Sequence, residues 1–110
     1  MQNYNFAVIG GGSWGTTVAS LISRNVNVTL WARNADTVEE INRDHRNSRY
    51  LGDANLHPNL RACHDISEAV QGADVVIMAV PSNSFRAVLE TCAKTIKPGT
   101  PLISLTKGLE

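Results

Sequence analysis

Several things are scarce in this chain of 110 residues, and each scarcity excludes a class of protein. Cysteine occurs only at Cys63 and Cys92, with no Cys-x-x-Cys spacing. That is too little for a disulfide framework, and the pair reads as reduced thiols of a cytoplasmic protein. Neither charge is in excess, since ten Lys and Arg balance ten Asp and Glu. The basic footprint of a general nucleic-acid or anionic-membrane binder is missing, so neither is an expected partner. Long apolar runs are missing too. The best, Val75 to Pro81, falls far short of the roughly 20 residues a membrane-spanning helix needs. Met1 to Asn5 carry no positive charge of the kind that opens a signal peptide. No internal repeat or low-complexity stretch occurs.

What is present is globular: 43% apolar and 18% charged residues, enough for one domain with a single core. Phe6-Ala7-Val8-Ile9 has the length of a strand and stops at Gly10-Gly11-Gly12. From Trp14 to Arg24 the apolar spacing turns helical through Val18, Leu21 and Ile22, with Asn25 suited to a left-handed ending. Val28 to Ala32 is β-branched and aromatic, a second strand. Asn34 or Asp36 caps the next helix, whose apolar side is Ala35, Val38 and Ile41. Residues 43–59 read mostly as loop, and Leu60 to Cys63 as a short strand. Asp65 and Glu68 stand at capping-box spacing and open a short helix that ends near Gly72. Asp74 to Val80 is apolar on both faces, as in a covered parallel sheet, and Pro81 stops it. Phe85, Val88, Leu89 and Cys92 make an amphipathic helix; Pro98-Gly99 then turns the chain into a last strand, Pro101 to Leu105.

Strands and helices alternate, which predicts an α/β fold with right-handed crossovers and a doubly wound parallel sheet. About five strands are counted where a complete dinucleotide fold usually has six. Residues 1–110 are therefore expected to be a Rossmann-like domain, the N-terminal part of a longer enzyme. The face that would meet the remainder is expected to be apolar and to invite self-association.

Gly10, Gly12 and Gly15 match GxGxxG, and they do so between a strand and a helix, the context the mechanism needs. Gly10 permits a tight turn, Gly12 lets a pyrophosphate approach the backbone, and Gly15 lets the helix pack closely. The helix N-terminus then offers free amides and a partial positive charge to the anion. An NAD-preferring site usually carries Asp or Glu at the end of the second strand. Here the sequence is Trp31-Ala32-Arg33-Asn34, with no acid before Asp36. Arg33 suits a 2′-phosphate or stacking on adenine, the alternative being a solvated strand end. This favours NADP, or tolerance of both cofactors.

Five segments together resemble the N-terminal part of bacterial-type NAD(P)-dependent glycerol-3-phosphate dehydrogenase. They are Gly10 to Thr16, Leu30 to Arg33, Asn47 to Leu51, Ala73 to Ser82 and Thr106 to Glu110, in the family's order and spacing. The resemblance implies reduction of dihydroxyacetone phosphate to sn-glycerol 3-phosphate, a phospholipid precursor, by hydride transfer from NADPH or NADH. It implies that Ser13 and Trp14 contact the cofactor at the glycine turn. Arg33 with Asn34 would lie by the adenosine end, and Tyr50 would reach in from the long loop. Lys107 matches the lysine placed where nicotinamide and substrate meet, a sensible position for a point charge. The turn Asn25-Val26-Asn27 departs from the family pattern, being one residue shorter and lacking a glycine. The proton-transferring lysine belongs to a helical C-terminal domain and has no counterpart here, so no catalytic residue is assigned and the chain alone is expected to be inactive. A homodimer is the expected assembly of the full-length enzyme.

Other constellations are weaker. His57, Cys63 and His64 fit no common zinc spacing, and no metal is expected. Arg43, Arg46 and Arg49 with His45 form a basic cluster that either attracts a phosphorylated cofactor or is a solvated loop face. Pro81 to Ser84, at the carboxyl end of the fourth strand, is either a loop that lines the cofactor at the ligand crevice or a Pro-terminated strand end followed by a helix cap. Two rival readings remain: another dehydrogenase of similar domain plan, and a non-catalytic nucleotide-binding module.

Overall fold

The computed structural model describes residues 4–105 and consists of a five-stranded parallel sheet covered on both faces by helices. The elements run β1 (Asn5–Ile9), α1 (Ser13–Ile22), β2 (Asn27–Trp31), α2 (Ala35–Asp44), α3 (Ser48–Leu51), β3 (Arg61–Cys63), α4 (Ile66–Val70), β4 (Val75–Met78), α5 (Ser82–Ala93) and β5 (Leu102–Ser104). The sheet order is β3-β2-β1-β4-β5, with β1 at the centre and every pairing parallel.

The apolar strands divide their residues between two cores. Ala7 and Ile9 of β1, with Val76 and Met78 of β4, face α4 and α5 through Val70, Val88 and Cys92. Val8 and Ile77, with Val28 and Leu30 of β2, face α1 and α2 through Ala19, Val38 and Ile41. This two-sided burial is why β1 and β4 carry apolar residues on both sides: at the centre of a doubly wound sheet neither face meets water.

Local chemistry fixes the helix starts. The Asn34 side-chain oxygen accepts from the backbone amides of Asp36 at 2.7 Å and Thr37 at 3.3 Å, so Asn34 and not Asp36 caps α2. Asp65 does the same for α4, accepting from Ser67 and Glu68. Two expectations change and two are refined. Helix α1 ends at Ser23 in a right-handed conformation rather than at a left-handed Asn25, as the Ser23 hydroxyl bonds back to the Ser20 carbonyl at 2.7 Å. Ala35 is exposed, leaving Val38 and Ile41 as the packed side of α2. Residues 43–59 are mostly loop, with two ordered pieces: α2 continues to Asp44, where His45 ends it at φ 58°, and α3 forms a further turn. Of the two readings of Pro81 to Ser84, the helix cap is the one found: Pro81 caps α5 and Ser82 begins it.

Candidate functional site

In an open parallel sheet the ligand crevice lies outside the carboxyl ends of the strands, where the strand order reverses. Here that point falls between β1 and β4. A cleft of about 650 Å³ opens there, within the roughly 300–1,000 Å³ usual for small-molecule sites.

The glycine turn forms its floor. Gly10 leaves β1 at φ +132°, and its amide donates to the Trp31 carbonyl at 2.9 Å. A Cβ on Gly10 would overlap the Ala79 carbonyl, so the residue needs both the backbone freedom and the empty space of glycine. A Cβ on Gly15 would overlap the Gly10 carbonyl and stand 3.2 Å from the Ala79 Cβ. The expected close approach of helix to strand is therefore an approach to the turn itself and to the end of β4. Gly12 differs, because a Cβ there would meet nothing within 4 Å. It caps α1 without a side-chain hydrogen bond, so the first-turn amides have no side chain competing with an anion.

The walls come from distant elements. Ser13 and the 59% exposed Trp14 stand at the start of α1. Arg33 and Asn34 follow β2, Arg49 and Tyr50 lie on α3, and Pro81 and Ser84 begin α5. Gly10, Gly12, Ser13, Trp14, Gly15, Arg33, Asn34, Tyr50 and Pro81, all picked out by sequence, thus line one cleft. Lys107 lies outside the described residues.

The charge of the cleft is one-sided. Among the described residues Arg33 and Arg49 line it, and no Asp or Glu does. Among the described residues the only ion pairs are those of Arg43 with Asp44 and Glu39, at 2.9 and 3.6 Å. The hydrogen bond from Arg43 holds the Asp44 carboxyl below its usual range and raises the guanidinium in return. The basic cluster of the sequence is thus split: Arg43 serves the surface of α2, whereas Arg49 joins Arg33 at the cleft.

Sequence reasoning missed Gly11 and Asn47. A Cβ on Gly11 would lie 2.6 Å from the Ala32 Cβ. Asn47 is fully buried, and its amide donates to the Gly11 carbonyl and to the Thr16 hydroxyl, both at 2.9 Å. Its only mark in the sequence is to open the Asn47–Leu51 segment. His57, Cys63 and His64 are used locally or left on the surface: the His57 Nδ1 accepts from the Asn59 amide at 3.1 Å. Among the described residues no three His, Cys, Asp or Glu side chains gather to hold a metal. Cys63 and Cys92 are free, and burial pushes both thiols above their ordinary range.

Sheet order, two-sided helical cover and a glycine turn at the switch point define the Rossmann class of nucleotide-binding α/β domains. The family described as NAD-dependent glycerol-3-phosphate dehydrogenase N-terminus matches residues 5–110, and the chain belongs to that family. Glycerol-3-phosphate dehydrogenase (NAD(P)+) 2 of Sphingopyxis alaskensis is 60% identical over 103 residues, covering 94% of this chain and 31% of the relative. The corresponding enzyme of Mycobacterium avium is 50% identical over 111 residues, covering 100% and 33%. The crystal structure of glycerol-3-phosphate dehydrogenase from Coxiella burnetii superposes with a TM-score of 0.88 at 31% identity, covering 97% of this chain and 33% of that one. A ketopantoate reductase from Ralstonia eutropha, with a TM-score of 0.77 at 23% identity over 94% of this chain and 34% of that one, shares the fold. The chain thus spans about a third of the length of the curated relatives it matches. Among the described residues no helix is long and apolar enough to cross a membrane.

Proposed function

We propose that this chain is the dinucleotide-binding domain of an NAD(P)-dependent glycerol-3-phosphate dehydrogenase. The full protein would interconvert dihydroxyacetone phosphate and sn-glycerol 3-phosphate, feeding glycerophospholipid synthesis. The observation that carries the reading is the cleft: a glycine turn with an open face at Gly12, flanked, among the described residues, by two arginines and no carboxylate. Such a cleft fits a ligand that is flat at its ends and anionic between them.

The bound nicotinamide would supply the hydride, and the residues of this chain would bind and orient. The amides opening α1 would receive the pyrophosphate, as helix N-termini do for anions. Ser13 and Trp14 would flank it, and Pro81 would bound the cleft on the β4 side. Arg33, with Asn34 beside it, would meet the adenosine end, where the missing acid leaves no group to repel a 2′-phosphate. Tyr50 would close the opposite wall. Lys107 would place a positive charge where the nicotinamide meets the substrate phosphate or its carbonyl oxygen. The proton donor and most substrate ligands are assigned to the part of the protein beyond these 110 residues. The full enzyme is proposed to act as a cytoplasmic homodimer.

The test is a tryptophan-fluorescence titration of the folded chain with NADPH and with NADH, since Trp14 stands at the cleft rim. Saturable quenching by either is expected. Arg33→Ala should weaken NADPH about tenfold, the scale of one charge-assisted contact of ~1.5 kcal/mol, and leave NADH nearly unchanged. A folded chain that responds to neither dinucleotide refutes the reading.

A further inference from the structure

We propose that Asn47 is the positioning residue of the cleft, a buried amide that turns the Gly12 N–H toward the bound pyrophosphate. The inference rests on the dinucleotide reading above and adds to it a residue that touches no ligand.

The side chain of Asn47 is 0% exposed and sits behind the glycine turn. Its Nδ2 donates to the Gly11 carbonyl and to the Thr16 Oγ1 at 2.9 Å each, and the Thr16 hydroxyl in turn donates to the same carbonyl at 3.2 Å. The Gly11 carbonyl therefore accepts two hydrogen bonds from the protein interior. In a planar trans peptide the C=O of one residue and the N–H of the next point in opposite directions. Holding the Gly11 carbonyl inward thus aims the Gly12 amide outward, to the side where a Cβ on Gly12 meets nothing within 4 Å. A glycine-rich turn is free to flip this peptide, which would present a carbonyl, rather than an N–H, to an anion. Asn47 and Thr16 oppose that flip.

Two further observations single out the amide. The Asn47 Oδ1 is buried without a hydrogen-bond partner, a cost that an apolar residue of similar size would avoid. What the amide offers in return is the pair of donors. The backbone of the same residue starts α3, its carbonyl accepting from Leu51 at 2.8 Å and Tyr50 at 3.2 Å. Asn47 therefore also fixes the turn that carries Arg49 and Tyr50 to the cleft against the turn that forms its floor.

Because the pyrophosphate is common to both cofactors, loss of this restraint should weaken NADPH and NADH alike. Asn47→Ala, Thr16→Val and Thr16→Ser are titrated with each dinucleotide after circular dichroism establishes folding. Asn47→Ala and Thr16→Val are expected to raise both dissociation constants about tenfold, with the NADPH-to-NADH ratio held within twofold. Thr16→Ser keeps the hydroxyl and should bind as the parent does. In 15N-labelled protein without ligand, the Gly12 amide resonance should shift and exchange faster in the two disrupted variants. Unchanged dissociation constants in a folded variant, or a loss confined to NADPH, would overturn the proposal. Should Asn47→Ala fail to fold, the near-isosteric Thr16→Val decides. A parent chain that binds neither dinucleotide removes the underlying reading instead, before any variant is compared.

Discussion

A methyl group on Gly12 would stand in open space, whereas one on Gly15 would run into the Gly10 carbonyl. The two glycines of one motif therefore answer to different demands, and substitution should separate them. Gly15→Ala presses on backbone that cannot step aside, and a loss of about 3 kcal/mol is expected from urea unfolding. Gly12→Ala changes only a helix cap, and stability should stay within about 1 kcal/mol of the parent. Dinucleotide affinity should nevertheless fall at least tenfold in folded Gly12→Ala, because the methyl occupies the side from which a pyrophosphate approaches. Equal stability of the two variants would refute this division. The motif was legible because its logic is local: strand, turn and helix follow one another within a dozen residues. Asn47 was not, since the atoms that give it meaning lie 31 and 36 residues away, at Thr16 and Gly11. Arg49 stood in a visible cluster, but only the packing of α3 distinguishes it from Arg43.

At the scale of the elements, local chemistry was readable wherever one side chain decides a boundary. Asn34 and Asp65 are such residues, and both cap as short polar side chains do. Asn34 also lines the cleft, and its side-chain oxygen is already engaged by two amides of α2. Asn34→Ala should therefore lower stability by about 1 kcal/mol, measured by thermal or urea unfolding, while Asn34→Asp, which keeps the acceptor, should not. A neutral Asn34→Ala would mean the cap contributes nothing. The segment from Arg43 to Asn59 resisted reading because its order is tertiary. Helix α3 has four residues, none of them buried, and no apolar period to announce it. It persists because Asn47 anchors its start and because Glu40 accepts from both the amide and the hydroxyl of Ser48 at 3.0 Å. Strand β4 ends at Met78, short of its apolar run, and Ala79 and Val80 beyond it line the cleft.

Across the whole molecule, alternation of strand and helix predicted the topology, since right-handed crossovers leave few ways to arrange parallel strands. The fifth strand is the exception to the buried pattern: Leu102 and Ile103 of β5 are 38% and 47% exposed on an edge of the sheet. An apolar edge strand is a template for pairing. Light scattering of the 110-residue chain should show association that grows with concentration, and Ile103→Lys should suppress it. A clean monomer at high concentration would show that the edge is inert. The central place of β1 reaches into the order of events during synthesis. During synthesis β1 can pair with β2 soon after it is made but must wait for β4 on its other side, and the Ala79 amide that bonds the Ile9 carbonyl at 2.8 Å is made some 70 residues later. Contacts so distant along the chain form slowly. The glycine turn can become a binding surface only after β4 has been translated, so a nascent chain is blind to its cofactor until that strand has joined the sheet.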